Sequence, residues 1–204
     1  MFEINNKKVE TYKVENYTFN VIKDFYKYPD KIVNLFSIVE PRWHKHPAGY
    51  FHQGIDFKDM RHCIFTNEIT PVYDFLESIT GEDPVDFGDG QYRKLVNTNY
   101  IKFLNHKYDN HIFYPHIDLG KTALVYLNKE KSKGTNFYHP INYEQGEEHE
   151  EHFINSDQVE ILHHIDSEYN KLIIWQGKDL WHGLCMDPKY TDEWRINQPF
   201  FFQA

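Results

Sequence analysis

A series of short strand-like runs between residues 91 and 202 does most to limit the folds open to this chain. Each run is rich in β-branched or aromatic residues and is followed by turn-forming residues; the runs are 91–104, 112–116, 122–127, 159–163, 171–175, 180–186 and 196–202. Short strands separated by turns are typical of an antiparallel sandwich or barrel. The aromatic content of 17% agrees with this, because Tyr and Phe favour strands and fill large interiors.

The earlier part of the chain combines strand-like and helix-like patterns. Apolar and polar residues alternate in two short runs on either side of Glu15, which predicts a pair of strands. One helix is predicted to begin at Asp30, and a second is predicted to begin at Thr70 and to stop at Gly81. Residues 41–62 contain prolines, glycines and histidines, and they are predicted to form a long loop.

These elements predict a mainly β protein with flanking helices. Neither an internal repeat nor a Pro/Gly-rich linker divides the sequence, so a single domain is predicted for residues 1–204. In this domain the strands and helices of residues 1–90 pack on a β core formed by residues 91–204. Helices early in the chain and strands late favour a jelly-roll core with the helices against one sheet.

Charge and composition argue against some classes of function. The formal net charge is −9 and no dense run of Lys and Arg is present, so a nucleic-acid partner is not expected. No apolar run approaches the length that crosses a membrane, and the first residues lack the apolar stretch of a signal peptide. Cys63 and Cys185 have no metal-binding spacing. A cytoplasmic protein with reduced thiols is therefore predicted.

Three residues form a candidate metal-binding set. His116 and Asp118 are two positions apart at the end of a predicted strand, so their side chains point to the same side and reach one ion. His182 lies in a later strand-like run, which a sandwich brings close to an earlier strand. Two imidazoles and one carboxylate are the set that binds non-haem Fe(II) through one face and leaves the opposite face open.

The His-X-Asp pattern alone is a weak signal, because the chain has 13 histidines and contains a second such pair, His164 and Asp166. A surface histidine, or one held by a hydrogen bond, is the alternative for either pair. Sequence context favours the first pair, since the strong strand of residues 122–127 follows it. His182 and Arg195 follow either pair along the chain, and they could supply a second imidazole and a cation for an anionic cosubstrate.

Five segments, in order, resemble the 2-oxoglutarate/Fe(II)-dependent dioxygenases, in the branch related to prolyl 4-hydroxylases. The segments are the first metal motif (114–118), the strand after it (124–128), a turn with one of the family's glycines missing (133–138), the approach to the distal histidine (172–182), and Arg195 with Gln198, Phe200 and Phe201. Residues 21–29 also resemble the entry segment of uncharacterised phage and bacterial members. Residues 187–193 are predicted to form a longer turn than is usual in the family.

The resemblance implies a double-stranded β-helix, the jelly-roll core shared with cupins. It implies that His116, Asp118 and His182 hold Fe(II), which also binds the keto acid of 2-oxoglutarate and O2. It pairs Arg195 with the far carboxylate of 2-oxoglutarate. The implied activity is hydroxylation of a C–H bond, in a peptide side chain or a small molecule, with release of succinate and CO2.

Other residues near these motifs have two interpretations each. Tyr126 is predicted to add a hydroxyl contact to 2-oxoglutarate, because its strand is expected to lie next to the first metal strand; a plain core tyrosine is the alternative. Trp175 and Trp181 either line the pocket or fill the core. Candidates to face the substrate, on the segment before the metal motif, are Asn99, Tyr100 and Arg93.

Two further functions stay open at the level of sequence. One is a non-catalytic jelly-roll protein of a virus or bacterium, which binds a ligand or partner and needs none of the metal ligands. The other is a cupin-like metalloenzyme that works without 2-oxoglutarate and has no role for Arg195. The acidic run 144–151 is either a solvated loop or a lid that attracts a basic substrate.

Overall fold

The computed structural model describes residues 1–40, 43–44, 50–52, 55–86, 90–104, 112–141, 154 and 156–203. The acidic run 144–151 lies outside these residues. Within them the chain is mainly β, with strands in two antiparallel sheets, as the sequence predicts. No helix in this described part is both long enough and apolar enough to cross a membrane.

The elements of the described part are two helices and a set of strands. The helices are α1 (Pro29–Ile38) and α2 (Thr70–Thr80). The strands are β1 (Glu10–Val14), β2 (Tyr17–Ile22), β3 (Trp43–His44), β4 (Tyr50–His52), β5 (Ile55–Phe65), β6 (Asp83–Pro84), β7 (Leu95–Phe103), β8 (Ile112–His116), β9 (Lys121–Tyr126), β10 (Ser132–Pro140), β11 (Val159–Ser167), β12 (Leu172–Gln176), β13 (Trp181–Cys185) and β14 (Arg195–Gln203).

The strand order brings early and late parts of the chain together. The larger sheet has the order β1-β2-β12-β9-β14-β7-β5-β3, with β4 on β5 and β6 on β14, and the smaller sheet has the order β11-β10-β13-β8. From β7 onward the chain passes back and forth between the two sheets. As a result β8 lies beside β13, and β14 lies between β7 and β9.

Both helices pack on one face of the larger sheet, in agreement with the sequence prediction. Ile32 and Phe36 of α1 and Leu76 of α2 belong to one buried cluster with residues of the sheet. Each helix has a proline in its first turn. Proline has no backbone N–H, and in the first turn that N–H would have no partner within the helix. The second helix ends as predicted, with Gly81 in the left-handed conformation at φ 68°.

The opposite face of the larger sheet packs against the smaller sheet, mainly through aromatic side chains. Phe19 of β2 meets Phe137 of β10 edge-on, with ring centroids 4.8 Å apart. At the other end Phe57 of β5 meets Phe113 of β8 at 4.7 Å. Burial of each such ring contributes roughly 1.5–3 kcal/mol. These contacts hold the two sheets at a fixed distance on either side of the candidate metal ligands.

The predicted loop over residues 41–62 is wrong, because its second half belongs to the long strand β5. Residues 57–65 of this strand pair with residues 95–103 of β7 without interruption. The strand places charged and polar residues, among them Asp59 and His62, in buried positions, and both side chains are less than 9% exposed. A strand with polar residues on both faces has no hydrophobic alternation, so the pattern resembles a loop.

The predicted turn over residues 133–138 is also wrong, because these residues lie within strand β10. The glycine of this segment has a packing reason: a Cβ on Gly134 would collide with the carbonyl oxygen of Ile165 in β11. The pairing of β10 with β11 shifts register here, between Ser132 and Thr135. Glycine within a strand often marks such an irregularity, and here it imitates a turn signal.

The segment between β13 and β14 contains a short 3-10 helix, Pro188–Thr191, where the sequence predicts a longer turn. The side chain of Asp187 accepts a hydrogen bond from the Lys189 backbone N–H at 3.1 Å and caps this turn. The fully buried Tyr190 anchors it to the protein interior. The segment thereby brings the chain into β14 with Arg195 as the first residue of the strand.

Candidate metal centre

Strand pairing brings the three predicted metal ligands together. His116 ends β8 and His182 lies in β13, and these two residues are direct partners in the antiparallel register of the two strands. Asp118 follows two positions after His116. One imidazole nitrogen from each histidine and one carboxylate oxygen of Asp118 all lie within 4.8 Å of one another. In the described part of the chain this is the one group of at least three such side chains.

The spacing of the donor atoms suits an ion. His182 Nε2 lies 3.1 Å from Asp118 Oδ2. Bonds from a metal to nitrogen or oxygen are about 2.0–2.2 Å long, so two ligands at a right angle lie about 3 Å apart. The rings of His116 and His182 are 4.4 Å apart between centroids. The set therefore fits a transition metal without a rearrangement of the backbone.

His182 is fixed in the orientation that a metal ligand needs. Its Nδ1 lies 3.0 Å from the backbone carbonyl of Leu180. A carbonyl only accepts, so Nδ1 donates to it, and Nε2 is the nitrogen that faces Asp118 and would bind a metal. The indole of Trp175 packs edge-on against the imidazole, with centroids 4.9 Å apart. The side chain is 5% exposed, and neither contact leaves it room to turn away from Asp118.

Asp118 is held as a carboxylate. Burial on its own raises the pKa of this group, but the nearby His182 and His116 and a hydrogen bond from Thr122 outweigh burial and lower the pKa below its usual range. The Thr122 hydroxyl donates to Asp118 Oδ2 at 2.5 Å. Metal ions bind the ionised carboxylate, so the site meets this requirement at neutral pH.

Backbone hydrogen bonds join the segment that carries Asp118 to the turn that precedes His182. The Asp118 N–H donates to the Gly177 carbonyl at 2.9 Å, and the Lys178 N–H donates to the Gly120 carbonyl at 3.0 Å. A Cβ on Gly177 would lie 2.8 Å from the Gly120 oxygen and 2.9 Å from Asp118 Cβ. Only glycine fits this close approach, so Gly177 sets the position of the carboxylate.

Gly177→Ala is expected to weaken metal binding by about 10- to 100-fold, the range seen when groups that orient metal ligands are changed. The added methyl group pushes Asp118 away from His182, because two of its three nearest neighbours belong to the Asp118 segment. Calorimetric titration with Fe(II) under anaerobic conditions measures the affinity.

Gly90→Ala is the control for this prediction. Gly90 has a left-handed φ of 65°, which Gly177 does not share, and a Cβ there has nothing within 4 Å. We expect backbone strain of about 1 kcal/mol and no change in metal affinity. Equal metal affinities for the two variants would contradict the role given to Gly177.

Arg195 is a buried cation near this centre. It is 4% exposed, and its Nη2 donates a long hydrogen bond of 3.4 Å to the Gly134 carbonyl. Within the described residues Nε has no acceptor, and no carboxylate lies within 4.0 Å of the guanidinium. Burial of a charge without an opposite charge is costly. The position is therefore suited to the carboxylate of a bound molecule.

Tyr126 lies beside Arg195. The sequence-based expectation that its strand lies next to the first metal strand is wrong. Its strand β9 pairs with β12 and β14 in the larger sheet, whereas the metal strand β8 belongs to the smaller sheet. The guanidinium carbon of Arg195 is 5.7 Å from the Tyr126 ring centre. The Tyr126 hydroxyl is 2.7 Å from Thr135 Oγ1. Burial raises the pKa of Tyr126 although Arg195 and Thr135 oppose it, so the hydroxyl keeps its proton.

The competing pair, His164 and Asp166, takes part in an ion-pair network on the smaller sheet. His164 Nδ1 is 2.7 Å from Asn136 Oδ1 and its Nε2 is 3.0 Å from Asp166 Oδ1. Lys131 Nζ completes the network at 2.7 Å from Asp166 Oδ2. Both imidazole nitrogens are engaged, and no third ligand among the described residues joins this pair.

The three residues predicted to face the substrate, Asn99, Tyr100 and Arg93, lie in three different environments. Asn99 lies on the face of β7 that is turned toward the smaller sheet, together with Ile101, which packs in the cluster between the sheets. Tyr100 lies on the other face, in the cluster with the helices. Arg93 pairs with Asp74 and Glu77 of α2. Asn99 alone of the three is therefore turned toward the metal ligands.

Some functional residues carry little signal in the sequence. Thr122 contacts Asp118 across a turn, and nothing in its spacing distinguishes it from other strand threonines. Gly177 sits in an ordinary turn, and its role follows only from the approach of the Asp118 segment. Trp175 contacts His182 and thus has a place at the site. Trp181 lies instead in the cluster with Tyr138, on the opposite face of the smaller sheet.

Comparison with known proteins supports the fold. No protein-family model matches the chain, and no curated protein matches it. The crystal structure of an oxidoreductase of the 2OG-Fe(II) oxygenase family from Burkholderia pseudomallei does match, with a TM-score of 0.52 and 9% sequence identity. The match covers 91% of this chain and 85% of that chain. The two proteins therefore share an arrangement of elements over almost their whole lengths.

Proposed function

We propose that this protein is an Fe(II)- and 2-oxoglutarate-dependent oxygenase that hydroxylates a C–H bond and releases succinate and CO2. One observation carries the proposal: two histidines and an aspartate have their donor atoms within 4.8 Å in the same interior as a buried arginine that has no carboxylate partner in the described part of the chain. The similarity in fold to a protein of the 2OG-Fe(II) oxygenase family supports it.

The proposal includes the fold and its extent. Strands β7 to β14 pass between the two sheets, with β10 and β11 consecutive in the smaller one, which agrees with a double-stranded β-helix. On this interpretation residues 1–204 form one domain, in the branch related to prolyl 4-hydroxylases. The strands of residues 1–90 extend the larger sheet on both of its edges, and the helices cover one face.

The site residues have distinct tasks in this reaction. Bound Fe(II) supplies the activation of O2, with 2-oxoglutarate as the source of the further electrons. His116, Asp118 and His182 would hold Fe(II), a set of ligands that would leave the ion able to bind the keto acid and O2. Asp118 offsets one of the two positive charges of the ion.

Arg195 binds the far carboxylate of 2-oxoglutarate. Its planar fork donates two parallel hydrogen bonds, which fixes the direction of the cosubstrate as well as its affinity. The protonated hydroxyl of Tyr126 lies beside this carboxylate and adds a neutral hydrogen bond. Phe137 and Trp175 form an apolar wall next to His182, and this wall keeps water away from that side of the centre.

Anaerobic titration of the purified protein with Fe(II), followed by 2-oxoglutarate, tests the proposal. We expect a visible charge-transfer absorption that needs both components, because the keto acid binds the ion at the open face. Absence of the absorption from folded protein would contradict the proposal and favour a non-catalytic binding protein. Tight Fe(II) binding that 2-oxoglutarate leaves unaffected would instead favour a cupin-like metalloenzyme.

A further inference from the structure

Polar side chains form a row across the larger sheet opposite the metal ligands. Arg61 of β5 is the register partner of Asn99 in β7, and Asn99 is the partner of Asn197 in β14. We name Arg61, Asn99 and Asn197 the polar row. The next partner across the sheet is Tyr126. The row therefore starts at the partly exposed Arg61 and ends next to Tyr126, which lies beside Arg195.

The polar row faces the space between the sheets. Phe57 of β5 and Phe103 of β7 both contact Phe113 of the smaller sheet, with ring centroids 4.7 and 5.4 Å apart. Residues an even number of positions apart on a strand share a face. Arg61 and Asn99 are each four positions from one of these phenylalanines and so lie on the same face.

The row also lies at the height of the metal ligands. Phe103 of β7 contacts Phe113 of β8, which fixes one end of the space. At the other end Thr122 contacts Asp118 and is the register partner of Phe201, four positions along β14 from Asn197. Asn99 thus lies midway between the two ends. His116 lies between Phe113 and Asp118 in the chain, which places it at about the height of the row.

The row offers charge and hydrogen bonds that the described residues do not use fully. The Oδ1 atoms of Asn97 and Asn197 are buried and have no hydrogen-bond partner in the described part. Arg61 has one ion pair there, at 3.5 Å to Asp59, and 47% of its side chain is exposed. Buried polar atoms normally have partners, so these asparagines point to a bound polar molecule.

We infer that the polar row and Asn97 hold the substrate, and that the substrate is a small polar molecule with a free α-carboxylate, in its simplest form an amino acid. This rests on the proposed function. Arg61 binds the carboxylate, and Asp59 beside it accepts from the amino group. The asparagines hydrogen-bond the polar body of the molecule. Its side chain then extends across the gap toward His116 and the metal.

The experiment compares the free L-amino acids with their α-amides, which lack the carboxylate. Thermal unfolding of the protein with Mn(II) and 2-oxoglutarate reports binding without turnover, because a ligand that binds the folded state raises the melting temperature. We expect one or a few amino acids to stabilise the protein and their amides to bind roughly 10- to 100-fold more weakly. Equal stabilisation by an amino acid and its amide would overturn the inference.

Two variants and a matched control locate the contact. We expect Arg61→Gln and Asn99→Leu to bind the stabilising amino acid about 10-fold more weakly or worse. Lys58→Gln removes the same charge from the same strand, but Lys58 lies on the opposite face, so binding stays as in the unchanged protein. Wild-type affinity in both Arg61→Gln and Asn99→Leu would refute the assignment of the row.

Conversion of 2-oxoglutarate to succinate without any amino acid tests the oxygenase separately. If this slow conversion occurs and no amino acid binds, the inference is wrong and the proposed function stands. If an amino acid binds in an Arg61-dependent way and neither the charge-transfer absorption nor succinate is found, the proposed function is wrong and the row remains a binding site.

Discussion

His182→Ala is expected to weaken Fe(II) binding by more than about 100-fold and to remove the charge-transfer absorption with 2-oxoglutarate. Changes to groups that only orient a ligand cost about 10- to 100-fold, and His182 is itself a ligand in the proposed centre. The variant also leaves Asp118 without its 3.1 Å partner. We therefore expect the free energy of unfolding of the metal-free protein to fall by about 1–3 kcal/mol. Anaerobic calorimetry and urea unfolding measure the two effects.

His164→Ala is the matched control for this variant. It removes the histidine of the other His-X-Asp pair, which belongs to the ion-pair network with Asp166 and Lys131. Fe(II) affinity and succinate formation are expected to stay at the level of the unchanged protein. The assignment of the metal centre fails if His164→Ala loses Fe(II) binding or if His182→Ala keeps it.

Arg195→Ala is expected to raise the KM for 2-oxoglutarate by a factor of roughly 30 to several thousand, which corresponds to about 2–5 kcal/mol for the loss of one partner of a buried charge pair. Fe(II) affinity should stay the same, because no metal ligand contacts Arg195 among the described residues. Arg195→Lys keeps the charge but loses the bidentate contact, so its KM should lie between those of the unchanged protein and of Arg195→Ala. Steady-state succinate formation at varied 2-oxoglutarate provides the measurement.

Two further variants serve as controls for Arg195→Ala. Arg93→Ala removes a guanidinium that pairs with Asp74 and Glu77 on α2, away from the centre, and should leave the KM unchanged. Tyr126→Phe removes one neutral hydrogen bond and should raise the KM by roughly 5-fold. An Arg195→Ala variant that turns over with the original KM would instead show that Arg195 does not bind the far carboxylate of 2-oxoglutarate.

Local patterns were enough to predict elements with one clear face. The strand ahead of Asp118 and the helix that ends at Gly81 were both predicted from spacing and stop signals, and the structure confirms them. The loop predicted over residues 41–62 fails for a related reason. Strand β5 places Asp59 and Arg61 on the face turned toward the smaller sheet, where hydrophobic alternation would place apolar residues. The polar interior that hides the strand is the same surface that we propose for substrate binding.

The neighbours of Tyr126 could not be predicted from the order of strands along the chain. Sequence order suggests that β9 lies beside β8, but the two belong to different sheets. Tyr126 reaches Arg195 because the last strand inserts beside β9, a long-range pairing that no local pattern encodes. Gly134 misleads for a different reason, since its lack of a side chain serves close packing against Ile165 and not a turn.

The position of β14 has a consequence for how the protein is made. This strand lies between β9 and β7 in the larger sheet, yet every other strand precedes it in the chain. During synthesis β7 and β9 have no common neighbour until residues 195–203 have left the ribosome. Their unpaired edges are open to wrong partners in that interval. The insertion of one late strand then joins the two halves of the sheet and delivers Arg195 to the interior in the same step.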